Sequence, residues 1–353
     1  MLRTVKHSSC ATLLAVVALL VLACGSGGDG TQEAPARRFL SIGTAPPGGA
    51  FFVVGGALAE VLNSAGAEAG WQVTAEATKG TQENIRRLTS GELDFALANA
   101  AISYFAVRGS EGWEQAHEIR AVMTLAPNVA FFVAPRDGGV QSIAALAGQR
   151  VVVGPAGAGF GYFLRPILGA HGVTYDDFTP LNGTQAAAVD MLADGAAAAA
   201  FLGGAVPTAS VTQAATGQDI LFLPFEPAAR EQLLADYPFF AAATVPAGTY
   251  PGQDEEFAGL NVGSMQLITA AGVDEELVYQ ATRSLWQRRA EVVERHPAGR
   301  AINAANVARD TGTPFHPGAE RFYREIGIWP QAVDADTEAG DATSDPTSDA
   351  SGE

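Results

Sequence analysis

Two stretches about a hundred residues apart share one pattern: "KGTQENIRRLTSGELDFALA" at 79–98 and "NGTQAAAVDMLADGAAAAAF" at 182–201. Each runs from Gly-Thr-Gln through a helix-like segment and a turn glycine into an apolar strand. Upstream of each, a strand ends in glycine, at Gly43 and at Gly154, and opens into a glycine-rich turn, "TAPPGGAFF" or "PAGAGFGYF", before another helix. The chemistry such corners offer is anion capture. A helix N-terminus exposes free backbone N–H groups and roughly half a positive charge, and glycine lets a ligand approach the main chain. The candidate binding residues are Thr44, Gly48, Gly49 and Phe51 at the first corner, and Lys79, Gly80, Thr81 and Asn84 at the second. Gly157, Gly159 and Phe160 belong to the third corner, Gly183 and Thr184 to the fourth, and Asn99 ends an otherwise apolar strand. Lys79 adds a full charge if it faces the ligand and is merely solvated if it does not. Asn84 is open in the same way.

Other chemistries find little support. The turns lack the G-x-G-x-x-G spacing and the Lys-Ser/Thr of phosphate loops. The cysteines are Cys10 and Cys24, both near the N-terminus, and no histidine pair has ligand spacing, so neither a metal nor a cofactor is implied. Ser264 in "NVGSMQ" has no nucleophile elbow. His117 and His171 follow helical stretches, and His316, before a proline, reads as structural. No nucleophile, base and orienting group assemble, so the expectation is a binding protein and not an enzyme.

Two α/β lobes would position these corners. "IRAVMTLAPNVAFFVAP" at 119–135 reads as two apolar strands, and "EFAGLNVGSMQLITA" at 256–270 as one long run crossing back. Residues 38–127 and 259–330 then form one lobe and 128–258 the other, with two crossing strands between them and a cleft that closes on a ligand. A helix is expected over 274–295. The N-terminus carries Arg3, Lys6 and a thirteen-residue apolar run ending "VLAC", which looks like a lipoprotein signal over 1–23 with acylation of Cys24. Residues 24–37 read as a flexible tether. The segment 331–353 holds seven acids and no base and reads as a disordered tail. A net charge of −17 argues against nucleic acid or an anionic membrane surface as partner.

"IGTAPPGGAFFVVGGALAEVLN", "GTQENIRRLTSGELDFALANA", "YPFFAAATVPAGTYPGQDEE" and "HPGAERFYREIG" resemble the TAXI family of solute receptors, which serve TRAP (tripartite ATP-independent periplasmic) transporters. The likeness covers residues 38–328. It implies a type II periplasmic-binding-protein fold, capture of a small organic anion such as a carboxylate or amino acid, and delivery to a TRAP membrane permease. It also implies an extracytoplasmic location, with the lipid at Cys24 as membrane anchor. Three departures stand out. Gly49-Ala50-Phe51-Phe52 lacks two hydroxyls of the family's first turn, Asn99-Ala100-Ala101 replaces Gln-Ser-Asp, and Ala198 stands where Asp94 keeps the family's aspartate in the first copy. Together they suggest a pocket more apolar than the family norm. Two alternatives stay open: a ligand-sensing lipoprotein not coupled to transport, and a secreted enzyme on the same fold, which the fold alone does not exclude.

Overall fold

The computed structural model describes residues 37–329, Gly48 excepted. The signal, Cys24, the tether up to Ala36 and the acidic tail lie outside the described residues. The first sheet contains β1 (Arg38–Gly43), β2 (Trp71–Glu76), β3 (Phe95–Asn99), β4 (Ile119–Thr124) and β12 (Met265–Ala270) in the order β2-β1-β3-β12-β4. The strands β1, β2 and β3 are parallel, and β12 runs antiparallel to β3 and β4. The second sheet has β5 (Val129–Pro135), β6 (Arg150–Val152), β7 (Thr179–Leu181), β8 (Ala199–Gly204), β9 (Ile220–Phe222), β10 (Phe240–Val245) and β11 (Phe257–Val262). Its order is β10-β11-β5-β8-β6-β7, with β9 on β5. Here β6, β7 and β8 are parallel and β5 is antiparallel to β8. The connectivity of β1, β2, β3 and β12 is thus repeated by β6, β7, β8 and β5. Each lobe closes its parallel set with a strand arriving from the other lobe.

Helix α1 (Ala50–Ala65) buries Val54, Leu58, Val61 and Leu62, one stripe at helical spacing, against the first sheet. Helix α2 (Thr81–Thr89) buries Ile85 and Leu88, and α3 (Ala100–Ala106) follows β3 directly. In the second lobe α4 (Gly161–Ala170) runs through Pro166, and α5 (Gln185–Ala193), α6 (Ala209–Gly217) and α7 (Pro227–Asp236) follow. The helix expected over 274–295 is two, α8 (Glu275–Gln287) and α9 (Arg289–Arg295), broken at Arg288. The run 256–270 is likewise two strands, because Gly263 at φ 103 turns the chain between the sheets. One apolar cluster extends from Ile85, Ile102 and Phe105 to Phe163, Phe201 and Phe239, so side chains of both lobes share a core.

The C-terminal segment covers the free edge of β4. Thr124 N–H bonds to the Val307 carbonyl at 2.9 Å and Ala121 N–H to that of Pro314 at 2.8 Å, which removes an exposed strand edge. His316 then starts α10 (Pro317–Glu325): its Nδ1 accepts from Gly318 N–H at 3.2 Å and its Nε2 lies 3.1 Å from the Val273 carbonyl. Both contacts require the neutral ring with its proton on Nε2. Burial is the largest influence on this imidazole and holds it below the usual 6.5. The folded state therefore binds fewer protons than the unfolded chain, and stability falls as pH drops through about 6.5. His316→Asn, which keeps a capping acceptor, is expected to flatten this acid-side loss while leaving stability near neutrality little changed. Urea melts between about pH 5 and 8 would check it. An unaltered acid slope would remove His316 as a cause.

Candidate functional site

Parallel order puts the C-terminal ends of β1, β2 and β3 on one edge of the first sheet, and those of β6, β7 and β8 on one edge of the second. Both edges adjoin the crossings, since Asn99 pairs with Met265 and Gly204 with Val129. The helix N-termini that follow these strands gather where the chain passes between lobes.

On the first lobe Thr44, Thr81, Asn84 and Asn99 are buried, and their side chains are committed to neighbouring groups of the same edge. Asn84 Nδ2 donates to the carbonyls of Thr44 (2.7 Å) and Leu97 (2.8 Å), while Thr44 Oγ1 donates to Glu76 O at 2.7 Å. Thr78 Oγ1 adds a fourth bond to this set, donating to Thr44 O at 3.1 Å. Thr81 Oγ1 accepts from Asn99 N–H at 3.0 Å instead of capping its helix. The cap position belongs to Gly80, whose φ of 113 excludes most side chains. Asn99 Oδ1 caps α3 through Ala101 N–H at 2.9 Å, and its Nδ2 donates to the carbonyls of Gly263 (2.8 Å) and Val262 (3.2 Å). These residues hold the edge in shape and leave main-chain N–H groups as its open donors. Helices α1, α2 and α4 have no side-chain cap, whereas α5 is capped by Thr184 Oγ1 from Ala187 N–H.

The second lobe uses the repeated glutamine differently. Gln185 is stapled to the end of β8, donating to Gly203 O at 2.7 Å and accepting from Gly203 N–H at 3.2 Å. Its counterpart Gln82 reaches across the cleft instead, donating from Nε2 to Tyr162 Oη at 3.2 Å. Tyr162 stacks on Trp113 (5.8 Å between centroids) and Phe105 (5.9 Å) of the first lobe. Gly159 faces Ile102 so closely that a Cβ there would fall 2.8 Å from the Ile102 Cδ1. Burial pushes the Tyr162 phenol up, so it stays a neutral hydroxyl. A cavity of about 290 Å³ lies at this junction, lined by Gln82, Glu111 and Gly112 from one side and Gly159, Tyr162 and Arg165 from the other. Glu111 has φ 55, a left-handed conformation uncommon outside glycine.

The structure therefore brings together the Gly80 and Gly159 corners. The other nominated residues sit as follows. Gly49 is exposed at the start of α1, and Phe51 is half-buried against the first-lobe core. Lys79 and Gly157 are exposed. Phe160 packs on Phe163 and Phe201. Gly183 N–H bonds to Gly154 O at 3.2 Å within its own lobe, and Thr184 is exposed. Gly48 lies outside the described residues. Asp94, expected to bear on the pocket, is at the opposite end of β3, where its carboxylate accepts Ser41 N–H at 2.8 Å.

The sequence reading did not nominate Gln82, Glu111, Arg165, Ser264 or Arg309, and it placed Tyr162 only among the aromatics flanking the glycine turns, one or two of which could wall the cleft. Gln82 had a signal, as the third residue of the repeated triplet. Arg309 had none: its Nη2 donates to Ser264 Oγ at 2.5 Å across 45 residues of chain. Burial pushes this guanidinium below its usual value, and among the described residues no carboxylate pairs with it. Ser264 sits inside the crossing, its Oγ also accepting from Asn261 Nδ2 at 2.8 Å, with no base beside it. Among the described residues no cluster of His, Cys, Asp or Glu is placed to hold a metal, and no helix is long and apolar enough to cross a membrane.

Residues 42–327 match the NMT1-like family. The chain belongs to that family. Solved structures give likenesses at low identity. XAC2383 from Xanthomonas citri bound to chloride ion is 13% identical, with 82% of this chain and 95% of that one covered and a TM-score of 0.49. The alkanesulfonate-binding protein SsuA from Xanthomonas axonopodis pv. citri bound to MOPS is 19% identical, covering 84% and 86%, with a TM-score of 0.45. A putative L-cystine ABC transporter protein from Listeria monocytogenes is 12% identical, covering 73% and 94%, with a TM-score of 0.42.

In this NMT1-like chain the Gln82–Tyr162 bond joins the two lobes, and Tyr162→Phe removes it while keeping the ring. A neutral hydrogen bond is worth about 0.5–1.5 kcal/mol. The variant is expected to populate the open form more, raising the radius of gyration in small-angle scattering without ligand, with little change in melting temperature. A radius equal to that of the wild type would show that the bond does not govern closure.

Proposed function

We propose that this chain is an extracytoplasmic solute-binding receptor that takes a small organic anion, a carboxylate or an amino acid, between its lobes and hands it to a TRAP-type membrane permease. One observation carries the reading: two helix starts without side-chain caps, that of α2 through Gln82 on one lobe and that of α4 at Gly159–Gly161 on the other, line one cavity at the junction of the lobes. Such ends offer backbone N–H donors and a positive dipole to a negative group from both sides. A hinge of two crossings lets the lobes part for entry and close for retention. The resemblance of the 38–328 segment to TAXI receptors favours a TRAP permease as recipient, and the "VLAC" sequence favours a lipid on Cys24 as the anchor.

Thermal-shift screening followed by calorimetry tests the ligand class. Mono- and dicarboxylates and amino acids are expected to supply the stabilising compounds, and the bound compound should be recovered chemically unchanged. Stabilisation confined to neutral or cationic compounds would sink the anion assignment, and turnover would move the protein to the enzymes. For the anchor, mass spectrometry of the membrane-extracted mature chain is expected to find an acylated N-terminal Cys24, and Cys24→Ala should release the protein from membranes. An unmodified N-terminus would rule the anchor out.

A further inference from the structure

The cavity at the junction of the lobes is lined by one acidic and one basic side chain, and they come from opposite lobes. Glu111 stands on the turn that follows α3, and Arg165 on α4. Both are exposed, and no ion pair among the described residues includes either, so the two charges share a cavity of about 290 Å³ without closing on each other. Each is held by other contacts. Arg165 lies back along its own helix: a Cβ on Gly161 would stand 3.6 Å from its Nε, and its guanidinium carbon packs 4.5 Å over the Tyr175 ring. Its charge therefore sits beside the uncapped start of α4.

Glu111 is held through the backbone. Gly109 N–H bonds to Ala106 O and Ser110 N–H to Phe105 O, both at 3.2 Å, and buried Trp113 closes the turn with its N–H 3.3 Å from Ser110 O. The turn leaves Glu111 at φ 55, a conformation that glycine would adopt at no steric cost. A glutamate is not what the turn demands. Its carboxylate lies toward the second lobe: burial is the main cause that raises the phenols of Tyr162 and Tyr237, and the Glu111 charge adds to the rise at both. The rest of the lining is neutral, with the Gln82 amide and the Tyr162 hydroxyl between the two charges' elements.

We propose that this cavity selects a zwitterion, a molecule with both an ammonium and a carboxylate group, holding the ammonium at Glu111 and the carboxylate at Arg165 and the start of α4. This rests on the reading of the cavity as the solute site of a receptor, and it narrows the solute from carboxylates in general to amino acids. A plain carboxylate satisfies Arg165 but meets Glu111 with like charge, and a plain amine does the reverse. Only a molecule carrying both groups pairs with both residues, and because those residues belong to different lobes it bridges them.

The test titrates the wild type, Glu111→Gln, Glu111→Gly and Arg165→Gln by calorimetry with the L-amino acids, and with the 2-oxo acid and the N-acetyl derivative of each one that binds. The wild type is expected to bind at least one amino acid about tenfold or more tightly than its 2-oxo acid and its N-acetyl derivative, as a charged hydrogen bond to the ammonium implies. Glu111→Gln should bring the amino acid down to the level of the 2-oxo acid, which itself binds no more weakly than before. Arg165→Gln should weaken both by about tenfold or more. Glu111→Gly suits the backbone of the turn, so it should lose the same preference with little change in melting temperature, which separates recognition from folding. A wild type that binds 2-oxo acids as tightly as amino acids, or a preference that survives in Glu111→Gln, overturns the zwitterion and leaves the anion reading standing. An equal loss of both ligands in Glu111→Gln marks a structural side chain and overturns it too. A wild type that binds neither class ends the proposal and counts against the receptor reading as well.

Discussion

Where a strand leaves one sheet for another it loses its ladder partners, and the freed backbone groups are too buried to turn to water. The crossing at Gly263–Ser264 is built around that constraint. The carbonyls of Val262 and Gly263 are met by Asn99 Nδ2, Ser264 O accepts Ala100 N–H at 3.0 Å, and Met265 N–H reaches Ala126 O at 2.9 Å. Each unsatisfied group would cost about 1–3 kcal/mol, a large part of the stability of an ordinary domain. Asn99 is the side chain that meets this demand, and by capping α3 it ties the hinge to the first lobe's binding edge.

The same logic explains why the two copies of the corner have diverged. In the second lobe Gln185 binds β8 to its helix. In the first lobe the equivalent tie, helix to third strand, falls to Asn84 through Leu97 O, and this frees Gln82 to reach Tyr162. One glutamine holds its own lobe together and the other touches the opposite lobe. A duplicated pattern therefore does not imply a duplicated role. What is common to both copies is the main chain: a strand, a glycine, and a helix end beside the cleft.

Much of the architecture was legible because it depends on local signals. Strand-glycine-helix order, apolar spacing such as Val54, Leu58, Val61 and Leu62, and the long runs at 119–135 and 256–270 all precede any tertiary knowledge. The break at Gly263 was hidden, since a single glycine inside an apolar run reads as continuous strand. The site was legible at the level of backbone and not of side chains. Glycines mark where a helix begins, but whether Asn84 or Asn99 turns toward a ligand or toward a carbonyl depends on groups far away in sequence. Thr81 shows this well: nominated as a binding residue, it turns its hydroxyl to accept Asn99 N–H, eighteen residues away. Arg309 is the extreme case, because only folding brings residues 264 and 309 into contact.

The acidity of the chain does not oppose a negative ligand as strongly as its total suggests. Of a net charge of −17, seven negative charges belong to the segment 331–353, and the rest are distributed over the body. At physiological ionic strength interactions between exposed charges fade beyond about 8 Å. A ligand carboxylate in contact with a guanidinium is in another regime: a hydrogen bond to a charged group contributes about 1.5–3 kcal/mol, and more where water is excluded. Phe105, Trp113 and Tyr162 pack together at the junction of the lobes, and apolar surface of this kind lowers the screening felt by charges nearby. Phe51 and Phe52 stand where the resembling family carries hydroxyls, which leaves the main chain as the source of hydrogen-bond donors in that stretch.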